Sequence, residues 1–190
     1  MEVFFVRTGQ RRYAVEIHRF DGEMLRMDPA PGFDDYFPHD LQHLIVEEQL
    51  GLTSAIFGRL AKGGTASTFA PVAGGEKLTT RDAARRRRKL HLRERRLADV
   101  EPPQFAESER ATFVAWHDWL SHCPELELQR RGAAVAETAG EISGRMDAWE
   151  RARLEDSLER IRERIDDVAR CWNALGVGGQ LAIGWNPVHV

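Results

Sequence analysis

The chain has 190 residues, of which 42% are hydrophobic and 30% charged, with a net charge of −3 and two cysteines. That length and composition are ordinary for a soluble globular protein and allow a sizeable core without covalent staples. They exclude a membrane-spanning helix, since no apolar run approaches roughly 20 residues, and a net charge this close to neutral specifies no partner.

Residues 2–27 read as a β-meander. Tyr13, Val15 and Ile17 alternate with Ala14, Glu16 and His18, the period-2 pattern of a half-buried strand. Asp21-Gly22 marks a tight turn before Met24–Met27, and Gly9 an earlier one after Val3–Val6. Pro29, Pro31, Gly32, Asp34 and Asp35 make 28–37 a loop. Pro38 suits a first helical turn, and the spacing predicts a helix from His39 to Leu50, ended by Gly51. Thr53 or Ser54 is placed to cap a second helix running to Leu60 and stopped by Gly63-Gly64. Residues 64–80 read as a loop.

Arg81 to Val100 reads as a basic helix ended by Pro102-Pro103, and Ser108 to His122 as a helix with Phe113, Trp116 and Leu120 on its apolar side. Residues 123–143 are ambiguous between helix and connection. From Ala148 to Leu175 the pattern predicts one long amphipathic helix: Leu154, Leu158, Ile161, Ile165, Val168, Trp172 and Leu175 step by fours and threes. Gly178-Gly179 then precedes a C-terminal strand over 180–186, expected to join the N-terminal sheet, because three short strands make a poor core face. The whole implies an α+β fold in a single domain, 1–190. Strand meander and site helix occupy 1–64, a helical region 81–175, and the returning strand completes a small antiparallel sheet.

Chemistry concentrates at His39-Asp40-x-x-His43-x-x-x-Glu47. Residues four apart stack on one helix face, on turns about 5.4 Å apart. Two imidazoles and a carboxylate so placed suit Zn²⁺, and also Fe²⁺, Mn²⁺ or Ni²⁺, with zinc the default. His39 and His43 are the expected metal ligands, with Glu47 a third ligand or a group that orients His43 from behind. Asp40 occupies the place of the general base in the His-Glu-x-x-His helix of zinc peptidases. It is one methylene shorter, and capping of the helix start is its competing role. A helix covers one side of an ion, so a further ligand is expected from elsewhere: Asp118 or His122, or Asp34 or Asp35.

The stretch Pro38-His39-Asp40-Leu41-Gln42-His43 with Glu47, Leu50-Gly51-Leu52 and Phe57-Gly58 resembles a family of uncharacterised small bacterial proteins, mostly actinobacterial. Trp172, Gly178-Gly179 and Leu181–Trp185 fit the same pattern at the other end. That resemblance implies an architecture and no activity. A second resemblance, covering His39, Asp40 and His43, is to the His-Asp-x-x-His zinc motif of ubiquinone-biosynthesis proteins. The distant Glu of that motif is missing here, with Ser54 and Ala55 in its region.

The function implied is a metal-dependent, hydrolase-like enzyme whose substrate, small molecule or peptide, is unspecified. Metal-bound water would act as nucleophile, with Asp40 and Glu47 as the catalytic acids. The alternative is a non-enzymatic interaction protein, self-associating as a homodimer through the 154–175 stripe, with a structural ion or none. Nine Lys/Arg between Arg81 and Leu97 suit contact with nucleic acid or anionic membrane. The favoured reading of that block is a solvated face neutralised by the seven acids of Asp99–Glu127. Met1-Glu2-Val3-Phe4-Phe5-Val6-Arg7 lacks the pattern of a secretory signal, and the two cysteines, Cys123 and Cys171, have no CxxC spacing, so a cytoplasmic location with reduced thiols is expected.

Overall fold

Alternating apolar residues fold the N-terminus into three antiparallel strands, β1 (Glu2–Gly9), β2 (Arg12–His18) and β3 (Met24–Met27). This is seen in a computed structural model that describes residues 1–72 and 80–188, with the backbone alone described at Ala83, Arg86 and Arg87. Val3, Phe5, Tyr13, Val15, Ile17 and Leu25 are buried beneath the sheet. The last strand, β5 (Gln180–Gly184), pairs antiparallel with β1, setting Val3 opposite Ile183 and Phe5 opposite Leu181. A two-residue strand, β4 (Ala70–Pro71), completes the order β4-β3-β2-β1-β5. The fold is α+β, as the sequence pattern implies. β4 falls inside the stretch 64–80 that reads as a loop, and residues 73–79 of that stretch lie outside the described residues.

Between β3 and β4 the chain forms α1 (His39–Leu50) and the short α2 (Ile56–Ala61). After β4 come α3 (Thr80–Val100), α4 (Phe105–His122) and α5 (Leu126–Gly144), the last filling the ambiguous stretch. The expected long C-terminal helix is two helices, α6 (Ala148–Glu155) and α7 (Leu158–Asn173). Asp156 and Ser157 between them keep right-handed helical dihedrals, so the spacing of apolar residues runs through the interruption and hides it. Leu154, Ile161, Ile165, Val168 and Trp172 of the stripe are buried in the protein's own core. No helix among the described residues is long and apolar enough to cross a membrane.

α1 is the element everything else encloses. Ten of its twelve residues are buried, on all sides of the helix rather than along one stripe. α4 and α7 pack against it, and Tyr13 of β2 reaches its first turn. The C-terminal segment closes its other end: Asn186 N donates to Glu48 Oε1 at 3.2 Å and Val188 N to the Glu48 carbonyl at 2.9 Å. Gly51, in the left-handed conformation, stops the helix and returns its amide to the Glu47 and Glu48 carbonyls.

α4 meets α1 with a face of small residues. Ser108, Ala111, Thr112 and Ala115 are all buried there, and their short side chains let the two helices approach closely. Its other side, carrying Leu120, packs on α5, where Gly132 leaves room for the leucine. Phe113 and Trp116, expected in the core, are half-buried. A close helix pair of this kind tolerates no added bulk. Ala115→Leu should therefore destabilise the protein by about 1–3 kcal/mol, lowering Tm by about 2–4 °C per kcal/mol. The same change at exposed Ala133 of α5 should stay within about 0.5 kcal/mol. Urea denaturation of the two variants distinguishes these outcomes.

Candidate metal centre

α1 carries five buried polar side chains, Asp40, Gln42, His43, Glu47 and Glu48, and each needs partners to replace water. Their bonds define the site. His39 and His43 stack on one face, as the four-residue spacing requires, with ring planes at 86° and centroids 4.6 Å apart. Their Nε2 atoms converge to 3.1 Å. The third group facing this point is Glu109 of α4, whose Oε2 lies 3.6 Å from His43 Nε2. One donor atom from each of His39, His43 and Glu109 lies within 4.8 Å of the others. His43 is buried, His39 half-buried and Glu109 exposed, so the cluster opens to solvent on the glutamate side.

Glu47 is not one of the three. It sits behind His43, on the Nδ1 side of the ring, 3.9 Å away. The carboxylate has no exposed surface and accepts three hydrogen bonds: from Phe57 N at 2.8 Å, Ile56 N at 3.2 Å and Ser108 Oγ at 2.7 Å. The two amides open α2, so Glu47 caps that helix across the turn. This overturns the expected cap at Thr53 or Ser54: the helix starts after Ala55, and its N-cap residue makes no side-chain bond.

The same bonds fix the proton on His43. A serine hydroxyl has a single hydrogen, and that of Ser108 goes to Glu47. Ser108 Oγ therefore accepts from His43 Nδ1–H, 2.8 Å away. In the neutral ring Nε2 therefore carries the lone pair, facing His39 and Glu109, and in the protonated ring the same nitrogen donates toward Glu109. A chain of carboxylate, hydroxyl and imidazole thus orients a ring nitrogen toward the cluster, the kind of outer support that metal-binding histidines use.

Charges follow from these surroundings. Burial pushes Glu47 up to about 7, against the pull of His43 and its three donors. Burial lowers His39, with nearby His43 adding to the effect. Burial also pulls His43 down, but Glu109, Glu47 and Asp40 outweigh it and leave it raised. Glu109 is lowered by its bond to His43.

Asp40 is turned into the protein, where the Tyr13 hydroxyl lies between its carboxylate and the Pro31 carbonyl. Burial raises Asp40 above the usual carboxylate range. The loop ahead of the helix is shaped to His39: Gly32, at φ +71°, passes so close that an added Cβ would sit 2.8 Å from His39 Cβ.

The third group of the cluster, Glu109, stands in the first turns of α4, and none of the four candidates named from the sequence is part of it. Asp118 and His122 lie at the far end, where Asp118 binds Arg162 and His122 Nδ1 is 2.7 Å from the Asp118 carbonyl. Asp34 accepts from Tyr36 and Phe37 amides and pairs with Arg131, and Asp35 pairs with Arg11. Comparison with known protein families, curated proteins and solved structures finds no match.

Replacing Glu47 tests its part in this network. In Glu47→Gln an amide NH₂ faces donors, which should cost about 1–3 kcal/mol in stability. A carboxyl whose folded pKa stands above its unfolded value contributes stability at low pH that is lost as pH rises through the folded value. The gap between wild type and Glu47→Gln should therefore be widest near pH 5 and narrow as pH rises through about 7. Urea titrations in chelator at several pH values would show it.

Proposed function

We propose that the protein binds a divalent metal, zinc by its donor set, through His39, His43 and Glu109, and uses it in a hydrolytic reaction. The observation that carries this reading is the convergence of two imidazole Nε2 atoms, 3.1 Å apart, with His43 held from behind by Ser108 and Glu47. Two nitrogens each about 2.05 Å from a tetrahedral ion lie about 3.3 Å apart, close to the spacing found. The carboxylate of Glu109 supplies charge to balance the cation. Two nitrogens and one oxygen favour zinc over calcium or magnesium, which take oxygen ligands.

Three protein donors leave one tetrahedral position for water, the pattern of catalytic rather than structural zinc. The ion would lower the pKa of that water toward neutrality and polarise a carbonyl or phosphoryl group bound beside it. His43 would hold its orientation through the Ser108–Glu47 chain. Asp40 is less suited to the proton-shuttling role that its place in the motif suggests, because its carboxylate is engaged with Tyr13. The exposed side of Glu109 is where substrate would approach.

Protein purified without chelator should carry about one zinc per chain by elemental analysis, with micromolar or tighter affinity by calorimetry. His39→Ala, His43→Ala and Glu109→Ala should each abolish retention while leaving the fold intact by circular dichroism. Glu47→Gln should weaken binding by about 10–100-fold, the usual effect of losing an outer partner. Retention that ignores Glu109→Ala would refute this ligand set. Unfolding on chelation would assign the ion a structural role. A panel of ester, phosphoester and peptide substrates, assayed with and without zinc, then tests hydrolysis.

A further inference from the structure

We infer that the exposed face of α3 is a docking surface for the phosphate backbone of a nucleic-acid duplex. This inference stands apart from the metal centre. α3 runs 21 residues from Thr80 to Val100 and has Leu90 as its buried anchor. At about 100° per residue, Arg81, Arg85, Arg88, Lys89, Arg95 and Arg96 fall within an arc of about 120°, centred opposite Leu90. All six are exposed. They extend along about 22 Å of helix. Asp99 shares the arc one turn past Arg96, and Lys89 at its edge also borders a hollow with Asp21 and Glu23.

The charge of this face is not met from within the fold. The sequence pattern suggests that the seven acids of Asp99–Glu127 neutralise the basic block, and the structure spends five of them elsewhere. Glu101 pairs with Lys62, Glu107 with Arg153, Glu109 with His43, Asp118 with Arg162 and Glu127 with Arg130. Glu94 of α3 itself turns to Arg59 and the Thr65 amide. Asp82 borders a hollow with Arg81, Arg85 and Arg88, but six cations outnumber it and Asp99, so a polyanion is the complementary surface.

Two features choose a duplex over other polyanions. A membrane-surface helix needs an apolar face opposite its charges to enter the lipid, but the face opposite this arc is the one anchored in the protein by Leu90. Single strands are held by aromatic stacking platforms, and α3 has no aromatic residue other than His91. What remains is a band of guanidinium and ammonium groups around exposed Leu92, suited to contacting phosphates without reading bases.

The test is fluorescence anisotropy with a labelled 20-base-pair duplex of random sequence, titrated with the full chain at about 50 mM salt and above. Expected is micromolar binding, with log K falling against log salt at a slope of about −3 to −5, or about −0.9 per phosphate contacted. Arg85→Glu with Arg88→Glu should weaken binding at least about tenfold. Arg130→Glu with Arg145→Glu, the same charge change on exposed arginines in α5 and directly after it, should leave it within about twofold. Circular dichroism checks that both variants fold. The inference is overturned by absence of binding at low salt, or by equal loss in the α5 variant. Tighter binding to a single strand of that length, or to vesicles containing phosphatidylserine, overturns it as well.

Discussion

Glu47 has no contact with water, and a carboxylate can be kept there only where other donors take the place of its solvent. Three do so, from two elements: two amides from the start of α2 and a hydroxyl from α4. The group therefore fixes where α2 begins, how α4 lies across α1, and which nitrogen of His43 carries the proton. Removing any one of these contacts leaves a buried polar atom unpaired, at a cost comparable to a sizeable share of a domain's net stability. The geometry of the candidate centre follows from this constraint.

The packing around α1 obeys the same logic. A helix buried on all sides is usually apolar all round; this one alternates Leu41, Leu44, Ile45 and Val46 with five polar side chains. Partners must then be brought close, and the small-residue face of α4 does this by letting two backbones approach while Ser108 and Thr112 point their hydroxyls at His43. The polar and the steric requirement are met by the same residues. Tyr13 from the sheet and Asn186 from the C-terminal segment supply partners for Asp40 and Glu48 in the same way. The interior of the fold is thus assembled around ionisable groups on one helix, an arrangement that stability alone does not call for.

Much of the fold was legible because it rests on local periodicity. The meander, the site helix with its glycine stop, the basic helix and the returning strand follow from spacing and turn residues that act within a few positions. Features that depend on distant residues were hidden. The cap of α2 comes from Glu47, nine and ten residues ahead of the amides it binds, so Thr53 and Ser54 looked like the natural caps. The break at Asp156-Ser157 keeps helical dihedrals, and apolar spacing does not register it. At the site, the ladder of His39 and His43 is a local property of a helix. Glu109 is not: which end of α4 crosses α1 depends on the angle between helices, and no short-range pattern encodes it. Attention to Ser108, Ala111, Thr112 and Ala115 as a row of small residues would have pointed to the correct end.

A net charge of −3 conceals a strong internal separation of charge. Acidic residues after α3 pair with a lysine, a histidine and two arginines of other elements, three of these pairs tying α4 to its neighbours. Those pairs are partly shielded and hold specific side chains in place, so their charge is spent on the architecture. Six cations of α3, Arg81, Arg85, Arg88, Lys89, Arg95 and Arg96, are left exposed on one face. Neighbouring blocks of opposite sign in a sequence cancel only if the fold brings them together, and here most of the acidic block pairs with other elements than the basic helix. The sign and position of an exposed field are therefore properties of the fold. They can be opposite in character to what the sum over the sequence suggests.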